Sequence, residues 1–133
     1  MHKVFLTTGS ILAGLAVILG AFAAHKLKTM VPEQAVTTFE TGVRYMMYHA
    51  LGLLGAGMLY RPGFGLMKVA GYCFITGIIL FSGSLMLLTY KAASMSAGLA
   101  WAGPITPIGG VFFIIGWLCF AIGISRIETS KLD

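Results

Sequence analysis

Long apolar stretches alternate with short polar segments along the whole chain. A helix needs about 20 apolar residues to cross the hydrocarbon core of a bilayer, and four stretches reach or approach that length. The predicted helices occupy about residues 4–24, 33–60, 68–88 and 106–124. The pattern therefore predicts an all-α fold, a four-helix transmembrane bundle of a polytopic membrane protein, with a single transmembrane domain over residues 1–133.

The second stretch differs from the others because it carries ionisable residues. At about 100° of rotation per residue, its polar residues share half of the helix circumference: Glu40, Thr41, Arg44, Tyr45, Tyr48, His49 and Gly52. The opposite half is apolar, so we expect lipid on that face and protein or water on the other. The apolar part of this stretch begins at Tyr45 and is too short to span a bilayer. We therefore expect the helix to include the turns before it, with Arg44 at the membrane interface or just below.

Composition excludes an ordinary soluble domain. Of the 133 residues, 58% are hydrophobic and 10% are charged, whereas charged residues make up about a quarter of soluble domains. The nine Lys and Arg residues lie at the ends of the predicted spans rather than on one face. This distribution argues against nucleic acid as a partner and for contact with membrane lipids. It favours, by a small margin, an orientation with both termini in the cytoplasm.

Small residues recur in the predicted helices and permit close helix packing in membranes. The glycines that we assign to helix packing are Gly52, Gly83, Gly109, Gly110 and Gly116. The Ser-Gly-Ser sequence at 82–84 predicts a local bend, and the Pro and Gly residues of 61–65 predict a tight loop between two antiparallel helices. With so many packing faces, we expect a homo-oligomer or a complex with another membrane protein.

Polar side chains of all four helices form a candidate site. Its members are His25, Glu40, Arg44, Tyr45, Tyr48, His49, Ser82, Ser84 and Thr106. Ionisable residues within a membrane span are costly, which points to a proton, ion or ligand site. The alternative is structural: an interfacial salt bridge between Glu40 and Arg44, and a buried His49 that bonds to Ser82, Ser84 or another helix. The sequence leaves both interpretations open.

No pattern in the sequence indicates a metal site, a cofactor or catalysis. Met46 and Met47 are soft copper ligands in principle, but on a helix they point away from His49, so we interpret them as packing residues. The sequence at 106–110 suits either a broken helix that binds an anion or an ordinary helix that begins near Pro107. We find no nucleophile and base at a meaningful spacing, no phosphate loop and no metalloprotease motif, and we do not expect an enzyme.

Four patches of the sequence together resemble a known family. They are GAFAAH at 20–25, FETGVRYMMYHAL at 39–51, LFSGSL at 80–85, and ITPIGG at 105–110 with GW at 116–117. These patches resemble the YgdD/YwdK-type small bacterial membrane proteins, an uncharacterised family with a eukaryotic relative among the small transmembrane proteins. Met46 stands where that family commonly has Gln, and Ala23 where it commonly has Gly. The resemblance implies a four-helix fold in the inner membrane and supplies no activity.

From these observations we expect an integral inner-membrane protein that binds or scaffolds a partner, or stabilises a complex, without catalysing a reaction. The alternative is a transporter or channel for a small solute, proton or ion that uses the polar cluster at the start of helix 2. The two hypotheses place different demands on the fold, because a conduit needs its polar groups in line across the bundle.

Overall fold

The computed structural model describes residues 1–63, 65–94, 98 and 101–129, with side chains as far as Arg126. Within these residues all regular secondary structure is helical. The helices are α1 (Lys3–His25), α2 (Glu33–Leu59), α3 (Gly65–Gly77), α4 (Gly83–Ser94) and α5 (Ala102–Thr129). A 3-10 turn at Leu27–Thr29 follows α1, and a π-helical segment at Ile78–Ser82 joins α3 to α4. The predicted all-α fold is confirmed.

Three of the four predicted helices extend further at both ends than the sequence pattern predicts, and α2 does not. Because the π-helical segment is continuous with its neighbours, α3 and α4 form one helix of 30 residues, Gly65–Ser94. The expected bend at 82–84 corresponds to this segment, which begins one turn earlier. The last helix begins at Ala102 rather than near Thr106. Pro104 is tolerated in its first turn, because an N–H group at that position would have no partner within the helix.

Three helices in the described part of the chain are long and apolar enough to cross a membrane: Lys3–Thr29, Gly65–Ser94 and Ala102–Arg126. The 27 residues of α2 would extend about 40 Å at 1.5 Å per residue, but the first half of this helix is too polar to meet the same criterion. Its length and its packing between the other helices therefore place α2 in the bundle. The protein is an all-α membrane bundle.

The central helix is α2. It packs against α1 on one flank and against α3, the π-helical segment and α4 on the other. The backbone of the N-terminal residues is hydrogen-bonded to the end of α2, with the Met1 amino group 3.0 Å from the carbonyl oxygen of Tyr60. At the opposite end the rings of Phe22 and Phe39 are in contact. The first two helices are therefore antiparallel along their whole length.

A tight turn connects α2 to α3, as predicted. Gly63 has a φ of 91°, in a region that residues with a Cβ rarely adopt. The last helix, α5, packs mainly on α3 and the π-helical segment and touches α2 at few points. The helices are thus arranged around α2 with α1 and α5 on different sides of it.

The expected orientation of α2 is wrong in one respect. Its apolar half is buried within the protein, including Phe39, Val43, Met46, Ala50 and Leu53. Apolar side chains gain nothing from leaving lipid, so packing decides which face is covered, and a central helix has neighbours on most sides. The uncovered strip carries Glu40, Arg44, Leu51 and Met58, which we call the open face of α2; the last three are exposed and Glu40 is half-buried.

Candidate functional site

The structure divides the predicted polar cluster among three places. Glu40 and Arg44 lie in a cleft between α1 and α2, and Tyr45, Tyr48 and His49 line a second cleft toward α5. Ser84 and Thr106 meet where α4 packs against α5. His25 is exposed at the end of α1 and lines neither cleft. The nine side chains therefore do not form the single site that we expected.

The first cleft has a volume of about 430 Å³ and is open on one side. We call it the charged cleft, and its lining residues are Ala16, Gly20, Glu40, Val43, Arg44 and Met47. Arg44 follows Glu40 by four residues, and an acidic residue four positions before a basic one is the order that favours an ion pair on a helix. Both side chains are described, and they form no ion pair with each other. The predicted salt bridge is thus absent.

The depth of the charged cleft follows from its contact with α1. The uncharged run of α1 ends at Ala24, and the floor of the cleft is formed by Ala16 and Gly20. At 1.5 Å per residue these positions are about 6 to 12 Å inside the end of that run. Arg44 therefore lies beside the uncharged run of α1, one to two helical turns from the end of that run at Ala24.

The second cleft is lined mostly by aromatic rings and has a volume of about 580 Å³. We call it the aromatic cleft, and its lining residues are Tyr45, Tyr48, His49, Phe81, Gly110, Phe113, Ile114 and Trp117. The His49 ring is buried and stacks on Phe113, and the Tyr45 ring stacks on Phe81 with 4.6 Å between centroids. These stacked pairs connect α2 to α5 and to the π-helical segment.

The hydrogen bond of His49 differs from the expected one. Its Nδ1 atom lies 2.6 Å from the carbonyl oxygen of Tyr45. Since a carbonyl oxygen only accepts, Nδ1 carries the hydrogen and donates it. The expected bond to Ser82 or Ser84 is therefore not formed: the Ser84 hydroxyl is bonded to Phe81 and Thr106, and the Ser82 hydroxyl has no partner among the described residues.

Two serines beside the π-helical segment have opposite environments. The Ser84 hydroxyl donates to the carbonyl oxygen of Phe81 at 2.9 Å and lies 2.6 Å from the Thr106 hydroxyl. Because Ser84 has used its hydrogen, the Thr106 hydroxyl donates to it. The Ser82 hydroxyl is buried and has no hydrogen-bond partner in the described part of the chain. Segments of π-helix often occur at functional sites, so this unpaired hydroxyl is a candidate polar contact.

Three of the five glycines that we assigned to helix packing are needed inside the bundle. A Cβ atom on Gly109 would collide with Phe81 and one on Gly116 with Phe74, whereas a Cβ on Gly52 would make tight contacts of 3.1 to 3.2 Å with Phe74 and Trp117. A Cβ on Gly110 would make ordinary van der Waals contact with the Phe81 ring, and a Cβ on Gly83 would meet nothing within 4 Å. The first three positions therefore lie at close contacts between helices, whereas Gly110 and Gly83 leave room for a side chain.

Sequence reasoning missed two further glycines that are equally constrained. A Cβ on Gly71 would overlap the Phe5 ring, and one on Gly77 would overlap Phe113. Both face aromatic side chains that are distant in the sequence, so spacing alone gave no signal. The constrained glycines thus serve contacts within one chain, and this weakens the expectation that their faces hold copies together.

The four sequence patches meet in one half of the bundle. Contacts between them join Gly20 with Val43, Gly42 with Ser82, and Ser84 with Thr106. The end of α1, the middle of α2 and the starts of α4 and α5 therefore lie side by side. Among the residues that the structure describes, no group of three His, Cys, Asp or Glu side chains is suited to hold a metal ion.

The apolar helices define the class of this protein, a multi-pass membrane protein with an all-α fold. The comparison with known sequences identifies the family. Residues 19–110 match a family model described as a protein of unknown function (DUF423), and the chain belongs to this family of uncharacterised membrane proteins. The resemblance to the YwdK-type proteins is thereby confirmed.

Relatives cover nearly the whole chain. The chain is 44% identical over 122 residues to the UPF0382 membrane protein YwdK of Bacillus subtilis, and the match covers 90% of this chain and 94% of YwdK. It is 38% identical over 125 residues to the UPF0382 membrane protein SSP2132 of Staphylococcus saprophyticus, covering 94% and 99%. A UPF0382 membrane protein of Haemophilus influenzae is 34% identical over 123 residues, covering 92% and 94%. No solved structure matches the chain.

Proposed function

We propose that this protein is a non-enzymatic component of the bacterial inner membrane that binds, scaffolds or stabilises another membrane component. The observation that carries the proposal is the outward position of its polar side chains. Arg44 and Tyr48 are exposed on the flank of the bundle, at positions where membrane lipid or another protein is the neighbour. Polar groups within a membrane are retained where they meet a partner or perform a function.

The space between the polar groups also supports binding rather than conduction. Val43 and Met46 are buried and separate the side of α2 that faces the charged cleft from the side that faces α4. A Cβ atom placed on Gly42 would lie 3.3 Å from the carbonyl oxygen of Ser82 and 3.3 Å from the Cβ of Leu85. The helices α2 and α4 are therefore in close contact. The polar groups thus belong to separate surfaces.

One observation favours the alternative, a conduit for a small solute, proton or ion. The Ser82 hydroxyl is buried without a hydrogen-bond partner among the described residues, and an unpaired polar group inside the bundle suits a contact with a passing solute or ion. The test is flux into liposomes that contain the purified protein, over a range of pH and cations. Flux that is lost in Ser82→Ala would support the conduit, and a folded protein without flux would exclude it under those conditions.

The distribution of cations supports the proposed orientation. One end of the bundle is where the N-terminus meets the loop after α2, and it carries Lys3, Arg61, Lys68 and Arg126. This end has slightly more Lys and Arg residues than the opposite end. Because cytoplasmic segments carry more Lys and Arg, we place this end and both termini in the cytoplasm. A C-terminal green fluorescent protein should therefore fluoresce and a C-terminal alkaline phosphatase should be inactive, and the opposite pair of results would reverse the orientation.

Native mass spectrometry of the gently extracted protein tests the binding function. We expect a stoichiometric lipid, a second protein or a second chain of 14.1 kDa on the wild type, and its loss from Arg44→Ala or Tyr48→Ala. Lys91→Ala, which changes a charge at the end of α4, should retain it. A bare monomer from several mild detergents and from native nanodiscs would contradict the proposal.

A further inference from the structure

We infer that the open face of α2 binds a second copy of this chain, with Glu40 of each copy paired to Arg44 of the other. This deepens the proposed function, on which it rests, because it names one partner and the surface that receives it. The inference starts from two charges that the bundle does not neutralise. Glu40 and Arg44 line one open cleft and form no ion pair with each other in the structure, which describes both side chains.

A second copy supplies both missing counter-charges at once. In an interface with two-fold symmetry, each surface meets an identical surface, so a contact from Glu40 to Arg44 is repeated from Arg44 to Glu40. A surface that carries one positive and one negative group side by side is therefore complementary to itself. At the depth of the charged cleft, such pairing removes the cost of leaving either charge against lipid.

The axial geometry permits these pairs between copies that have the same orientation in the membrane. A two-fold axis along the membrane normal makes the two α2 helices parallel, so Glu40 of one copy lies about 6 Å from the level of Arg44 of the other. Side chains on a helix are tilted toward its N-terminus. Arg44 therefore extends toward the level of Glu40, and its long side chain closes the offset.

The rest of the open face suits the same contact. Leu51 and Met58 follow Arg44 at intervals of seven residues and are 55% and 59% exposed. A spacing of seven keeps side chains on the seam between two helices that pack with a left-handed twist. Beside this seam, Ala16 and Gly20 form a floor of small residues under the cleft of about 430 Å³, which leaves room for side chains of the partner.

Charge reversal with mixed copies tests the inference. Two differently tagged copies are expressed together, and the fraction purified through both tags is measured. Glu40→Arg alone or Arg44→Glu alone places like charges at both contacts, so we expect at least a tenfold loss of association. When one tagged copy carries Glu40→Arg and the other Arg44→Glu, both contacts regain opposite charges, and mixed dimers should form at the wild-type level. The double variant Glu40→Arg with Arg44→Glu should also associate.

Rescue by mixing distinguishes a second copy from the other occupants. A salt bridge within one helix, or an anionic lipid bound to Arg44, would not be restored by mixing two chains that are each still defective. Failure of the mixed pair with folded chains would therefore overturn the inference, as would unchanged association of the single variants. Arg126→Glu, a charge reversal at the exposed end of α5, is the matched control and should leave association unchanged.

A cross-link provides a readout that does not depend on charge reversal. Leu51→Cys should form a disulfide between copies on mild oxidation, because this residue lies near the symmetry axis. Leu118→Cys is equally exposed at 58% and adjoins Trp117, which packs near Gly52, so it lies at a similar depth on another face. Cross-linking at position 118 but not at 51 would place the dimer contact elsewhere. A partner that still co-purifies with unlinked monomers would leave the proposed binding function standing.

Discussion

His49 lies flat against Phe113: the centroids of the two rings are 3.4 Å apart and their planes differ by 8°. The imidazole Nδ1 atom also donates to the carbonyl oxygen of Tyr45, so α2 fixes the orientation of the ring that α5 contacts. The backbones of these two helices approach each other at few points, so side chains make the connection: the stacked pair, and Trp117 and Phe120 against Gly52 and Gly55. The stacked pair is therefore one of several side-chain connections between α2 and α5.

Removal of this ring should destabilise the bundle more than its replacement by another ring. Aromatic pairs contribute about 0.5 to 1.5 kcal/mol beyond the area that they bury. His49→Ala should therefore lower the midpoint of thermal unfolding in detergent, measured by circular dichroism, more than His49→Phe, which keeps the stacking and loses only the hydrogen bond. Equal losses in the two variants would show that the hydrogen bond rather than the stacking matters.

Gly109 and Gly14 should respond in opposite ways to the same substitution. A Cβ on Gly109 would overlap the backbone of Phe81, whereas one on Gly14 would meet nothing within 4 Å. Overpacking typically costs about 1 to 3 kcal/mol, and Ala is favoured over Gly in a helix by about 1 kcal/mol. We expect Gly109→Ala to lower the unfolding midpoint and Gly14→Ala to leave it unchanged or raise it. A stable Gly109→Ala protein would show that α5 can shift away from the π-helical segment.

The hydroxyls of Ser84 and Thr106 should be energetically coupled. Hydrogen bonds between membrane helices are worth about 0.6 kcal/mol on average in double-mutant cycles. Ser84→Ala, Thr106→Val and the double variant should give a coupling energy of that order when unfolding is followed in detergent micelles. Additive effects of the two single variants would indicate that the 2.6 Å contact contributes nothing to stability.

Ser82→Ala should not destabilise the protein. The hydroxyl is buried without a hydrogen-bond partner among the described residues, and an unsatisfied buried polar group costs about 1 to 3 kcal/mol. Alanine removes that group and leaves a side chain of nearly the same volume, so the unfolding midpoint should stay constant or rise. A clear loss of stability would reveal a partner for this hydroxyl, such as a bound water molecule.

Much of the fold was predictable from apolar runs and turn residues. A run without charge, such as the one that ends at Ala24, can pair its backbone polar groups within the segment itself only as a helix, and these groups must be paired in the membrane. The turn at Gly63 was predictable for a similar reason, since glycine tolerates its positive φ. The start of α5 was harder to place, because a proline is compatible with both the first turn of a helix and the loop before it.

The candidate site was less predictable. Helical periodicity placed Glu40, Arg44 and His49 on one half of α2, but Glu40 and Arg44 line the charged cleft and His49 lines the aromatic cleft. It gave no information on the distance from these residues to Ser82, Ser84 or Thr106, which depends on how α4 and α5 pack. The collisions that Gly71 and Gly77 avoid with Phe5 and Phe113 were invisible for the same reason.

The long uncharged runs were enough to predict an all-α membrane protein, because a helix pairs the backbone polar groups of such a run within the bilayer. Which face of α2 is covered, in contrast, depends on how the helices pack. In water the apolar half of a helix must be buried, but in lipid both the bilayer and the protein are apolar, so hydrophobicity does not choose between them. Shape complementarity between the helices makes that choice, and it leaves Glu40 and Arg44 on the open face.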